Sequence, residues 1–120
     1  VDVVWNAFED MQGGEIYVKK LPSIKVTDIA KAIAPEAKLV EVGVRAGEKM
    51  HEQMISNSDA SFTYEYDDYF KILPRLQVWA KPSNIPEDGK LVSSEFSYDS
   101  SCNDKWMTPC ELKTWLDLEL

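Results

Sequence analysis

The chain has 120 residues, 44% hydrophobic and 28% charged, which fits one small globular domain and excludes a disordered tail. Thirteen basic against 21 acidic residues leave a net charge of −8, so the basic face that a general nucleic-acid partner needs is missing. No run of 18 apolar residues occurs, so no membrane-spanning helix is expected, and two cysteines are too few for a disulfide framework.

The first element is a helix: Val1, Val4, Trp5 and Phe8 fall at i, i+3, i+4 and i+7 and make one apolar stripe, closed by Gly13-Gly14. "EIYVKKL" alternates and predicts a short strand at 15–18, ended by Pro22. Thr27 caps a second helix, from about Thr27 to Ala34, with Ile29, Ala30 and Ile33 buried and Pro35 beyond. "KLVEVGV" then places Val40, Val42 and Val44 on one side of a half-buried strand at 39–44. Strand, helix, strand is α/β order. The crossover rule predicts that strands 15–18 and 39–44 lie side by side and parallel. Beyond Gly47, Met50, His51, Met54 and Ile55 predict one or two helical turns. "FTYEYDDYFKILP" predicts a hairpin around Asp67-Asp68, and residues 75 to 105 read as an irregular connection. A last helix opens at "TPCELKTWLDL", with Thr108 as N-cap, Pro109 at N1 and Glu111 completing a capping box. The chain is thus expected to form a small mixed α/β unit, a single domain over residues 1–120.

Few residues have the pattern of a catalytic group. His51 is the only histidine, and the acids Glu65, Asp67 and Asp68 belong to a solvated hairpin tip more readily than to a catalytic pair. Gly13-Gly14 lacks the spacing of a phosphate loop, and Cys102 and Cys110 have no partners at metal-ligand spacing. No catalytic, cofactor or metal residue is therefore assigned. The stretch "VGVRAGEKMHEQMIS" is different. It delivers Arg45 from a strand end to a turn at Ala46-Gly47, with Glu48 three residues on. A guanidinium there can donate paired hydrogen bonds to phosphate oxygens, and a carboxylate can accept from a diol such as a ribose. The plain alternative is an exposed ion pair on a loop.

The longer stretch "MQGGEIYVKKLPSIKVTDIAKAIAPEAKLVEVGVRAGEKMHEQMIS" resembles the C-terminal part of the inverting UDP-N-acetylglucosamine 4,6-dehydratases, members of the extended short-chain dehydrogenase/reductase family. Their pattern there runs approximately G-G-E-I-F-V-P-K-I-P-S-M-K and later G-I-R-P-G-E-K-L-H-E. "YEYDDYFKILP" and "SYDSSCNDKWMTPCEL" continue the likeness over nearly the whole chain, except residues 75 to 92. Two departures stand out: Ala46 takes the place of the usual proline, and Lys19 that of the proline in F-V-P-K.

The resemblance implies the smaller, substrate-binding lobe of a UDP-sugar dehydratase of bacterial surface polysaccharide or pseudaminic acid biosynthesis. Such an enzyme oxidises the sugar at C4, eliminates water across C5–C6 and returns the hydride. The NADP site and the Tyr-Lys pair belong to an N-terminal Rossmann half that is not among these 120 residues. No cofactor and no turnover is therefore expected of the chain alone. The chain opens without methionine, which points to an N-terminal portion removed or never included. Carried over residue by residue, Arg45 meets the UDP pyrophosphate and Glu48 the uridine ribose, with weak binding of the UDP-sugar. The apolar first helix is expected to self-associate or to meet the missing Rossmann domain. A cytoplasmic setting with reduced thiols is expected. The alternative is a stand-alone binding or interaction protein that has lost the enzyme activity.

Overall fold

The computed structural model describes residues 2–75 and 88–119. Within them the chain runs α1 (Asp2–Asp10), β1 (Ile16–Lys19), α2 (Val26–Ile33), β2 (Gln53–Ile55), a 3-10 turn (Asn57–Phe62), β3 (Thr63–Glu65), β4 (Tyr69–Ile72), β5 (Lys90–Leu91), β6 (Tyr98–Asp99) and α3 (Pro109–Glu119). These form two compact units: Val1–Lys20 with Gln53–Asp99, and Leu21–Glu52 with Ser100–Leu120.

The first unit is built on a four-stranded sheet in the order β1-β4-β3-β5, with every pairing antiparallel. β3 and β4 form the hairpin that "FTYEYDDYFKILP" predicts, in register Thr63↔Ile72 and Glu65↔Phe70. A separate two-stranded ladder joins β2 to β6. Period-two alternation along β4 sends Phe70 and Ile72 to one face, where they meet Val18 and the fully buried Ile55. Phe62, Val92, Phe96 and Tyr98 complete that core. Lys71 points to the opposite face. There its side chain is only 7% exposed; its ammonium donates to Asp10 Oδ2 at 2.6 Å, and Tyr17 Oη donates to the same oxygen at 2.8 Å. Tyr17 is also the cross-strand partner of Lys71, so one carboxylate ties the end of α1 to two neighbouring strands. Gly89 is there for space, since a Cβ on it would come within 2.9 Å of the Tyr66 ring.

In the second unit α2 packs against α3. A parallel bridge links Ser23 to Trp106, with Ser23 N–H donating to Lys105 O and Met107 N–H to Ser23 O, each at 2.8 Å. Asn103 Nδ2 donates to Leu21 O at 2.6 Å and to Ser23 Oγ at 3.1 Å, which fixes the segment leading into α3. The capping box at the start of α3 is formed in full. Glu111 Oε2 accepts from Thr108 N–H at 2.7 Å, and Glu111 N–H donates back to Thr108 Oγ1 at 3.3 Å. The Thr108 N–H and then the Thr108 hydroxyl, which donates to the same Oε2 at 2.7 Å, hold the Glu111 carboxyl below its ordinary pKa.

Four expectations need correction. The parallel pair is absent: β1 pairs antiparallel with β4, and residues 39–44 form no strand. Val40, Val42 and Val44 are all exposed, because among the described residues no strand lies alongside for the alternation to bury. The second helix starts before Thr27, with Lys25 in the N-cap position and no side-chain cap bond, and it buries none of its residues fully: Ile29 and Ala30 are half-buried and Ile33 is exposed. Met54 and Ile55 belong to strand β2, not to a helical turn, because β6 offers that segment a ladder. The irregular connection expected over 75–105 contains β5 and β6 in its described part. Its residues 76–87, Pro82 and Pro86 included, lie outside the described residues, as does Val1 of the first stripe.

Candidate functional site

Arg45 and Glu48 are the two ends of one tight turn. Glu48 N–H donates to Arg45 O at 3.1 Å, which closes the four residues Arg45, Ala46, Gly47 and Glu48. Gly47 has φ +91°, and no residue other than glycine has positive φ among those described. Positive φ at the third position alone is the signature of a type II turn, which glycine adopts without steric cost. A second bond runs the other way: Arg45 N–H donates to Glu48 Oε2 at 2.8 Å. The other carboxylate oxygen stands 4.0 Å from Arg45 Nε, and the Arg45 side chain is 82% exposed against 53% for Glu48. The guanidinium therefore faces water with its charge only loosely countered. That is a geometry in which an anion can be met.

The end of the same loop is held by Ser100. Its Oγ lies 3.3 Å from His51 Nδ1 and accepts from Glu52 N–H at 3.1 Å, while Ser100 N–H donates to Glu52 O at 2.9 Å. His51 thus serves an anchoring contact. Its partner is 49 positions away in the chain, so no local pattern could have pointed to it.

The remaining candidates separate from this turn. Glu65 is paired with Lys20 at 2.8 Å, and Lys20 N–H donates to Asp68 O at 2.9 Å. With Asp67 they belong to the hairpin tip, beside an open crevice of about 400 Å³ that Tyr66, Asp88 and Lys90 also line. Burial, and then the charge of Tyr69, Asp10, Asp88 and Tyr64, pushes the Tyr66 phenol up to about 12, so it stays protonated at neutral pH. No group of three His, Cys, Asp or Glu is placed to hold a metal ion among the described residues, and Cys102 and Cys110 are not joined in a disulfide. No described helix is long and apolar enough to cross a membrane. An apolar groove of about 500 Å³ runs between α1 and β1, lined by Val4, Ala7, Phe8, Met11 and Ile16 among others.

Residues 1–74 match the family model described as polysaccharide biosynthesis protein. The chain belongs to this family. As a family member it is 42% identical, over 117 residues, to the UDP-N-acetylglucosamine 4,6-dehydratase (inverting) of Campylobacter jejuni subsp. jejuni serotype O:2. That alignment covers 93% of this chain and 35% of the dehydratase. The UDP-glucose 4-epimerase of Rickettsia canadensis is 33% identical over 76 residues, 60% of this chain and 22% of the epimerase. Among solved structures, Pen from Bacillus thuringiensis matches with a TM-score of 0.75 and 24% identity, covering 96% of this chain and 34% of Pen. At that identity the likeness is one of fold. This polysaccharide biosynthesis family member therefore spans about a third of the length of the dehydratase it matches.

Proposed function

We propose that the chain is the substrate-binding portion of a nucleotide-sugar 4,6-dehydratase acting in bacterial surface polysaccharide biosynthesis, and that it is not catalytic by itself. The observation that carries this reading is the 42% identity to an inverting UDP-N-acetylglucosamine 4,6-dehydratase along 93% of the chain. Arg45, exposed on its type II turn, takes the diphosphate of the UDP-sugar, with Glu48 beside it as the second member of the site. The dehydratase resemblance implies NADP for the complete enzyme. These 120 residues carry no Gly-rich phosphate loop to hold it, so no hydride or elimination step is assigned to them. A cytoplasmic setting is part of this reading, in keeping with two cysteines that are not joined in a disulfide.

A single arginine on half a cleft supports weak binding, with Kd near or above about 1 mM, close to −4 kcal/mol. A charge-assisted hydrogen bond to phosphate contributes about 1.5–3 kcal/mol, a large share of that total. Arg45→Ala should therefore abolish detectable binding when UDP is titrated into isotope-labelled chain and amide shifts are followed. Equal affinity in the variant, or shifts that spare residues 44 to 49, would overturn the assignment.

The α1 face supports a second element of the reading. Val4, Trp5 and Phe8 are exposed beside the apolar groove, and contiguous apolar patches of this kind favour association. The chain should accordingly dimerise through α1, and light scattering should report the larger species. Monomer alone at high concentration contradicts this.

A further inference from the structure

We propose that the crevice at the tip of the β3–β4 hairpin binds a neutral saccharide, with the Tyr66 hydroxyl, Asp67, Asp88 and Lys90 meeting its hydroxyl groups. The proposal does not depend on the anion-binding reading of Arg45. Every residue that lines the crevice belongs to the first unit, whereas Arg45 belongs to the second.

Three observations carry it. The first is that the walls are fixed by contacts within the protein. Tyr66 N–H donates to Tyr69 O at 2.9 Å, which closes the hairpin turn, and the two rings stack with centroids 4.6 Å apart and an interplanar angle of 10°. Gly89, just before β5, comes up against the same Tyr66 ring, so closely that a Cβ on it would lie 2.9 Å away. The phenol is thereby held in one place. Lys20 forms another wall, paired with Glu65 at 2.8 Å and tied through its own N–H to Asp68 O at 2.9 Å.

The second observation is which groups are left over. Lys20 and Glu65 neutralise each other. The side chains of Tyr66, Asp67, Asp88 and Lys90 make no hydrogen bond or ion pair with any described residue. A phenol, an ammonium and two carboxylates therefore surround one space of about 400 Å³. Small-molecule sites span about 300–1,000 Å³ and place a few polar groups in this way. Burial above all pushes the phenol up to about 12, so at neutral pH it keeps the proton it would donate.

The third is what those groups select. Two uncommitted carboxylates against one ammonium disfavour an anion. No group of three metal-ligating side chains is present among the described residues. An amine would gain from the carboxylates and be repelled by Lys90. A hydroxyl both donates and accepts, so it can give its proton to Asp67 or Asp88 and accept from Lys90 or Tyr66. A sugar ring presents several such groups at once, and it satisfies all four side chains without burying an unpaired charge.

The test titrates glucose and N-acetylglucosamine, without a nucleotide, into the isotope-labelled chain. Amide shifts should centre on residues 65 to 67 and 88 to 90, with Kd of about 1 mM. Tyr66→Phe removes one hydroxyl and should weaken binding about five-fold, the size of one net hydrogen bond. Asp67→Ala combined with Asp88→Ala removes acceptors that carry charge and should weaken it about ten-fold or more. Arg45→Ala should bind the sugars as the parent does. Inorganic phosphate and butylamine stand for the two rejected classes, and either one shifting these residues more strongly than the sugars overturns the proposal. So does sugar binding unchanged in both crevice variants, or no response at about fifty times the expected Kd. A chain that answers to sugar at the hairpin tip and not to UDP at residues 44 to 49 keeps the crevice and loses the Arg45 reading; the opposite pattern does the reverse.

Discussion

Phe70→Ala should cost about 3–5 kcal/mol, the range for deleting a buried aromatic ring with partial collapse of the space left behind. Phe70 is 4% exposed and sits in β4, the strand that pairs with both β1 and β3. Its ring lies 5.1 Å from those of Phe96 and Tyr98, tilted to each, and the Lys20 ammonium stands 5.0 Å from its centroid. One side chain therefore joins the hairpin, the β6 region and the end of β1. A chain of this size holds about 5–15 kcal/mol in total, so the loss takes the first unit close to unfolding. Urea denaturation followed by fluorescence and circular dichroism should show the midpoint fall by about 1 M or more, given slopes near 1–3 kcal/mol/M. Phe70→Leu, which keeps most of the volume, should lose less than half as much. A fall under about 1 kcal/mol for the alanine variant would mean that this cluster does not hold the unit together.

How much of this was legible in the residues depended on whether the signal was local. The α3 capping box needs only Thr108, Pro109 and Glu111, and all of its bonds form as the spacing predicts. The hairpin around Asp67-Asp68 is also a local event, and its register follows from the alternation of Phe70 and Ile72. The turn at Arg45 was readable for the same reason, since Gly47 and Glu48 lie within three residues of it. Failures came where the outcome depends on a distant neighbour. Val40, Val42 and Val44 alternate correctly for a strand, yet alternation states only which face would be buried if a sheet edge were adjacent. Among the described residues none is. The edge that β1 does find belongs to β4, 50 or more positions away, and nothing in either segment names the other. His51 and Ser100 are likewise 49 positions apart. Lys71 gave a faint clue, a lysine set inside the apolar run "YFKIL". A charge in such a place calls for a partner, and the sequence does not say that the partner is Asp10.

The Asp10–Lys71 pair should respond asymmetrically to removal of its two members. The Lys71 side chain is 7% exposed, whereas the Asp10 side chain is 48% exposed. Asp10→Ala removes the paired carboxylate from a buried cation and leaves it the Tyr17 ring, 5.5 Å away, and the more distant charge of Glu15. Breaking a buried pair in this way costs about 3–5 kcal/mol, reduced here to about 2–4 because water reaches the carboxylate side of the pair. Lys71→Met removes the cation instead and leaves a carboxylate that water can solvate, so its effect should lie within about 1 kcal/mol of zero. Acid should discriminate further. The hydrogen bond from Lys71 holds the Asp10 carboxyl below its ordinary value, against the opposing effect of burial, with Tyr17 and the Lys71 charge adding to the depression. A depressed carboxyl pKa means that the unfolded chain takes up its proton first. The stabilisation is therefore complete above the unfolded value, about 3.9, and is lost as pH falls through the folded one. The difference in unfolding free energy between the parent chain and Asp10→Ala should hold steady from pH 7 to about pH 5 and shrink below pH 4. A difference that persists unchanged at pH 2.5, or a Lys71→Met variant as damaged as Asp10→Ala, would show that the pair does not bind α1 to the sheet through its charge.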